Sequence, residues 1–387
     1  MAKSRHVAVV MELCWPFKRH YEIFAGIRDF AEKHGDWTFD LGNFPHYELA
    51  LGKRYDGIVG RIGKDCHLAA QKAGIPMVNV WIDSPVAEKV PCVHPDSRAT
   101  GRLAAEHLIV RGYRRLAHFG FRGSRDSKLQ FEGMREVARE HGYPCTFYST
   151  HPSFTDKAEN WARFVECVKR AQQDWEAPTG IAFPVDELCH AVSAICRADG
   201  WKIPEQLAVI GCCNDLLICN AADPTLSSVD LAAWKCGYES ARLLNELMRG
   251  KAPPARPILI PPKELVVRRS TDFHAVSDPR VARALSYMAG KSAEKLSVPE
   301  IAKHVGVGRQ TLERGFMKSL GRTINEELIR HRISMLKRLL VETEESIKEL
   351  SVRVGFGTTA NMFPMFKRHT GMTPKEYREK HGSSPGL

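Results

Sequence analysis

A helix over residues 309–320 that turns Leu312, Phe316 and Leu320 inward leaves Arg309, Gln310, Glu313 and Arg314 on its outward face. Arginine and glutamine side chains form paired hydrogen bonds with guanine and adenine edges in a major groove, and the later Lys318 and Arg322 suit phosphate oxygens. A second set follows on a helix that begins near Thr358: Thr358, Thr359 and Asn361 come early, Lys367 and Arg368 late. This is chemistry of recognition, since no nucleophile and base are paired in either set.

The elements that must present these side chains repeat. Ser297-x-x-Glu300-Ile301-Ala302-x-x-Val305-Gly306 returns as Ser346-x-x-Glu349-Leu350-Ser351-x-x-Val354-Gly355. In each copy the serine accepts from the N–H of the glutamate while the glutamate reaches back, a reciprocal cap for helix donors that otherwise lack partners. Glycine then permits a tight turn into the second helix, so each copy reads as a helix-turn-helix. Thr323 and Glu326 cap a helix reaching about Val341, and Thr373-Pro374-x-Glu376 caps a last one. A connector of about 20 residues spans roughly 30 Å, close to the spacing of successive major-groove faces.

Charge follows the same division. From Asp278 onward there are 20 Lys and Arg against 12 Asp and Glu, so this smaller segment carries +8 of the chain's +11. A concentrated positive field attracts phosphate backbones. Val281, Ala284, Leu285 and Met288 repeat at helical spacing, and strand signals cease, so this segment is expected to be all-α with two helix-turn-helix units.

Upstream, short apolar runs alternate with amphipathic ones. Strands are expected at 7–11, 57–59, 76–80, 116–119, 180–183, 207–210, 226–229 and 258–260, with helices at 21–34, 97–111, 128–141, 157–173, 187–199 and 233–249. Such β-α-β repetition argues for parallel sheets covered by helices on both faces, and the length fits two lobes. The expected organisation is an α/β domain over 1–273, a linker at 274–277 and an all-α domain over 278–387.

The segment from Asp278 to Lys380 resembles the AraC-type DNA-binding domain, through Gly355-Phe356, Phe366-Lys367-Arg368 and Gly371-Met372-Thr373-Pro374-Lys375-Glu376-Tyr377-Arg378. One departure is Pro364, inside the second reading helix, where it removes a donor and is expected to kink or shift the helix. The first unit is therefore expected to read bases more strongly and the second to anchor the backbone.

The α/β portion resembles the two-lobed effector domain of LacI-type repressors and periplasmic sugar-binding proteins. The stretches 55–59, 73–78, 101–108, 207–211 and 225–229 carry this likeness in order, and the junction 260–262 with 268–272 supports it. A LacI-like sensor ahead of an AraC-type reader is the arrangement of bacterial xylose-operon regulators. The resemblance implies a cleft at the carboxyl ends of the strands, and strand ends nominate Glu12, Trp15, Arg61, Asp186, Asn214 and Asp215. Carboxylates, Asn and Arg hold sugar hydroxyls, and an indole covers the apolar face of a ring. The same residue types also pack, pair with acids or cap helices: Trp15, Arg61, Asp186 and Asp215 have these alternatives. Gln130 stands where many of these sensors carry Arg, Cys213 where they usually carry a hydroxyl-binding Asp, and Val185 where Asn is common. A pentose is implied, D-xylose or another sugar.

Other classes fit poorly. The eleven cysteines lie between Cys14 and Cys236 without CxxC spacing, as in a reduced cytoplasmic protein with no metal site and no disulfide framework. The apolar stretch 7–11 is too short for a signal-peptide core or membrane span. Phosphate-loop, GxGxxG and HExxH patterns are absent, and His107 and His118 sit in apolar surroundings that suit packing, so neither catalysis nor a cofactor is expected. The expected partners are double-stranded operator DNA, a sugar effector, RNA polymerase and a second copy of the chain, at the nucleoid in the cytoplasm. Activation is the expected sign, and a sugar-binding protein without regulatory role is the alternative.

Overall fold

A computed structural model describes the chain except residues 1–3, 12, 14–17, 35–36, 43–44, 154, 274–277, 290–295, 344 and 382–387. Glu12, Trp15 and the expected linker at 274–277 therefore lie outside the described residues. The chain divides into two compact units, Met1–Val110 with Arg114–Thr271, and Asp272–Leu387 with Arg111–Tyr113.

The first lobe of the first unit runs β1 (Arg5–Val10), α1 (Lys18–His34), β2 (Trp37–Leu41), α2 (Pro45–Ala50), β3 (Gly57–Gly60), α3 (Lys64–Ala73), β4 (Met77–Asn79) and β5 (Val93–Pro95). The chain then builds the second lobe with α4 (Ser97–Val110), β6 (Arg115–Phe121), α5 (Arg125–Glu140), β7 (Cys145–Thr150), α6 (Ala158–Gln172), β8 (Thr179–Ala182), α7 (Asp186–Ala198), β9 (Leu207–Cys212), α8 (Leu216–Ala221) and β10 (Ser227–Asp230). It returns to the first lobe for α9 (Ala233–Met248) and β11 (Ile258–Ile260), then adds β12 (Glu264–Val266) to the second.

The first lobe's parallel sheet is ordered β2-β1-β3-β4, with β5 and β11 paired parallel beside it. The second is ordered β12-β10-β9-β8-β6-β7, parallel except for the antiparallel β12. Sheets covered on both faces need strands that are apolar throughout, and β3, β8 and β9 are buried at every residue. The expected strands form, the one at 258–260 with its expected bounds and the others within a residue or two at their ends. Sequence reading missed β2, β5, β7 and β12, and helices α2, α3 and α8. These are short or lie at sheet edges, where one-sided exposure gives β2 and β7 a mixed pattern.

Each lobe is fastened by one close helix pair. A Cβ on Gly101 of α4 would lie 1.8 Å from the Gln130 carbonyl oxygen of α5, and one on Gly133 of α5 would lie 2.0 Å from the Arg98 carbonyl of α4. Gly26 and Gly237 admit the carbonyls of Trp234 and Ile23 in the same reciprocal way between α1 and α9. Only glycine permits such approach of one helix backbone to another.

The described elements of the second unit are all helices: α10 (Pro279–Ala289), α11 (Val298–Val305), α12 (Arg309–Leu320), α13 (Ile324–Glu342), α14 (Ile347–Arg353), α15 (Thr359–Thr370) and α16 (Pro374–His381). It has two cores. Val281, Leu285, Ile301, Val305, Leu312 and Phe316 fill the first, and Leu350, Val354, Phe356, Met362 and Phe366 the second. The connecting α13 serves both, with Ile324 and Leu328 in one and Ile333, Leu336, Leu339 and Leu340 in the other. Its 19 residues span about 28 Å.

Candidate DNA-reading surface and effector cleft

The capping logic of the helical unit holds at atomic detail. Ser297, Thr323 and Ser346 each accept from the N–H of the glutamate three residues on, and each glutamate accepts from the N–H of its capping residue, at 2.9, 2.8 and 3.0 Å respectively. Gly306, at φ 78°, closes α11 in the left-handed conformation and starts the turn into α12.

Arg309, Gln310, Arg314 and Lys318 are all exposed on α12, opposite buried Leu312 and Phe316. Met317, 49% exposed, shares this face and went unnoticed in the sequence; its thioether arm suits a thymine methyl. Glu313 is half-buried and accepts from the N–H of Ile324, which makes it a fastener of α13. Arg322 requires a correction: its guanidinium pairs with Glu327, itself 5% exposed, so the phosphate role expected for it is taken up by a buried structural bridge.

On α15, Thr358 is the N-cap and accepts from Asn361 N–H at 3.3 Å. Thr358, Asn361, Lys367 and Arg368 are exposed, and Thr359 is half-buried. Pro364 does not interrupt the helix, which runs unbroken from Thr359 to Thr370. Both Pro364 and Ala360, whose carbonyl loses its usual partner, are exposed. Arg378 of the closing motif donates to the carbonyls of Leu340 and Glu345 at 3.2 and 2.7 Å, closing the end of α13.

In the α/β unit the segments beyond the carboxyl ends of the parallel strands of the two lobes face each other: Lys18, after β1, bonds carbonyls after β9, and Asp83, after β4, bonds Ser124 and Arg125 after β6. Arg61, after β3, lies 4.6 Å over the Trp81 ring, a cation–π contact. Trp81 follows the β4 run directly, so the strand-end criterion applied elsewhere would have found it. Asn214, at φ 52°, accepts from Arg268 at 2.8 Å and presents its carbonyl to Lys18 Nζ at 2.7 Å. Lys18 also bonds the Cys213 carbonyl at 3.1 Å. Asp215 caps α8, accepting from Leu217 and Ile218 N–H.

Two expected ligand residues act from behind the surface. Asp186 is fully buried, with Ser228 Oγ donating at 2.6 Å and Asp215 N–H at 2.7 Å, so it fixes the cleft loops and no ligand reaches it. Gln130 is 2% exposed and its amide is spent on Asp126 at 3.2 Å. Sequence reading missed Asp126, Arg19, Lys18 and Asp83, because their positions matter only once two lobes meet. Asp83, beyond β4, accepts from Ser124 Oγ at 2.9 Å and Arg125 N–H at 2.6 Å at the start of α5, tying one lobe to the other.

Burial pushes the Asp186 carboxyl up to about 7, against the opposing pull of Ser228 and the Asp215 N–H. A raised pKa contributes stability that is complete below the unfolded value near 3.8 and is lost as pH climbs through 7. His118 acts in the opposite sense: burial pushes it down to about 4, so its contribution is present above 6.5 and lost as pH falls through 4. The two oppose each other over much of the acid range, and a difference isolates the acid. Asp186→Asn is expected to gain stability relative to the unsubstituted chain between pH 5 and pH 8, by at most about 3 kcal/mol. Urea melts at the two pH values measure this, and a pH-independent difference would contradict the assigned proton.

The groups present do not suggest catalysis. His118 stacks on Phe147, with neither ring nitrogen bonded, and His107 bonds Thr271 Oγ1 at 3.0 Å, both packing roles. Burial pushes the thiols of Cys219 and Cys236 up to about 12, away from the reactive thiolate. Among the described residues no helix is long and apolar enough to cross a membrane.

Comparison with known proteins gives the class. Residues 105–271 match the periplasmic binding protein-like domain, and residues 301–380 match a helix-turn-helix domain. The chain is a transcriptional regulator and not an enzyme, with a periplasmic-binding-protein-like sensor joined to an AraC-type DNA-binding domain. It is 29% identical to the xylose operon regulatory protein of Escherichia coli K12 over 84% of both chains, and 28% identical to that of Haemophilus influenzae over 74% of both. A solved xylose-binding transcription activator superposes with a TM-score of 0.61 at 25% identity, covering 99% of this chain and 100% of that one.

Proposed function

We propose that the chain is a pentose-responsive activator of a sugar catabolic operon, with D-xylose the first effector to test. The observation that carries this reading is the presence, in one chain, of a two-lobed α/β unit and two helix-turn-helix units with exposed Arg, Gln and Lys, together with likeness over most of its length to xylose operon regulators. In this reading residues 1–273 sense, 274–277 link and 278–387 read. Arg61 with Trp81, and Asn214, line the effector site alongside Glu12 and Trp15, while Gln130 and Asp186 hold their neighbours in place. Arg309, Gln310 and Arg314 read bases, Lys318 anchors phosphate, and Thr358, Thr359, Asn361, Lys367 and Arg368 of the second unit chiefly grip the backbone.

Effector binding favours the closed sensor by its greater affinity for that state, and two copies of the chain then engage repeated half-sites and recruit RNA polymerase in the cytoplasm. A sugar-binding protein with a purely structural tail is not favoured, because a structural tail has no need of an exposed Arg, Gln and Lys set on a capped reading helix. A thermal-shift screen of the full chain across pentoses, hexoses and their alcohols tests the proposal. A true effector at a hundredfold excess over its Kd is expected to raise Tm by about 5 °C or more. A flat response to every sugar, with no effect of any of them on operator binding, would overturn it.

A further inference from the structure

Arg19 and Asp126 meet across the cleft in a pair that the fold leaves half satisfied. Arg19 stands in the first turn of α1, in one lobe, and Asp126 in the first turn of α5, in the other. Arg19 Nη2 lies 3.6 Å from Asp126 Oδ2, too far for a hydrogen bond. Asp126 Oδ1 is fully engaged, with Ser97 Oγ donating at 2.6 Å and Gln130 Nε2 at 3.2 Å, whereas Oδ2 has no hydrogen bond among the described residues. Arg19 Nε is buried with no partner, yet 27% of the side chain remains exposed. The neighbouring Lys18 is by contrast satisfied, bonding two carbonyls and Glu22.

We propose that Arg19 and Asp126 form the specificity-determining pair of the effector site, with one sugar hydroxyl donating to Asp126 Oδ2 and an adjacent oxygen accepting from the Arg19 guanidinium. This rests on the sugar-sensing reading above and adds the residues that select its ligand, favouring a neutral sugar over a sugar acid or sugar phosphate. One acid and one base side by side sum to no charge, so an anion drawn to Arg19 is repelled by Asp126, while a diol satisfies both. The placement also accounts for two departures in the sequence. Where related sensors carry Arg and Asp this chain has Gln130 and Cys213, and charged groups stand beside them: Gln130 donates to Asp126, and the Asp126 carboxylate faces the Arg19 guanidinium. Because the two partners belong to different lobes, a ligand bridging them draws the lobes together, and selectivity and closure share one contact.

The test uses the full chain and matched pairs of neutral pentoses or hexoses and their aldonates, with Kd from calorimetry. The unsubstituted chain is expected to bind at least one neutral sugar and to reject its aldonate. Asp126→Asn keeps the shape and the acceptor that Ser97 and Gln130 use. It is expected to weaken sugar binding roughly tenfold or more and to narrow or reverse the preference against the aldonate. Arg19→Lys retains the charge without the fork and is expected to lose a similar factor, and it stands in if the first variant fails to give a cooperative melt. Preference of the unsubstituted chain for the aldonate, or sugar binding unaltered in either variant, overturns the pair while leaving sugar sensing intact. Binding of neither class overturns both.

Discussion

Arg314→Ala is expected to lower affinity for a preferred operator by about 1–3 kcal/mol and to relax the preference at one or two base pairs, while affinity for the sugar stays unchanged. The side chain is exposed on α12 and forms no ion pair among the described residues, so its removal disturbs no fold contact. Operator sites drawn from a random duplex library, and titrations at fixed salt, would measure it. Lys318→Ala provides the contrast. A phosphate contact carries no sequence information, so its loss weakens all duplexes alike and reduces the salt slope by about one counterion. If Arg314→Ala behaved like Lys318→Ala, or left operator affinity untouched at matched salt, α12 would not be reading bases through this residue.

Gly101→Val is expected to have the largest effect on the sensor. A Cβ there meets the Gln130 carbonyl at 1.8 Å, and the obstacle is helix backbone, which cannot rotate away as a side chain would. α4 and α5 must separate, at a cost of about 3 kcal/mol, the upper range for overpacking. Separation also displaces Asp126 and Gln130, both on α5, so the effector response is expected to fail along with stability. The helical reader has its own cores, and residual binding to DNA is expected to survive. Differential scanning calorimetry, with effector and duplex titrations, separates these outcomes. A wild-type melt with unaltered effector affinity would show that the helix pair yields more easily than its geometry implies.

The reader was legible because its signals are local. Ser297, Thr323 and Ser346 cap their helices with glutamates only three residues away, Gly306 turns the chain where it stands, and helical periodicity alone turns Arg314 outward and Phe316 inward. The sensor's strands were legible for a similar reason, since parallel strands buried on both faces are apolar without interruption. Its edge strands β2 and β7 were not, because partial exposure breaks the pattern. Arg322 was misjudged because a basic residue past a reading helix resembles a phosphate contact until its buried partner Glu327, five residues on, is seen folded against it.

What the sequence by itself determined was a doubled, capped, basic helix-turn-helix behind a two-lobed α/β module, together with the class of regulator this implies. What only the tertiary structure decided was the cleft chemistry. Arg19 and Asp126 are more than a hundred positions apart, and Asp83 finds its partners at 124 and 125, so their pairing follows from the chain crossing between lobes. Charge and hydrogen bonding depend on distance in space, and a sequence records that distance only where the backbone's own repeat, the helix or the strand, sets it.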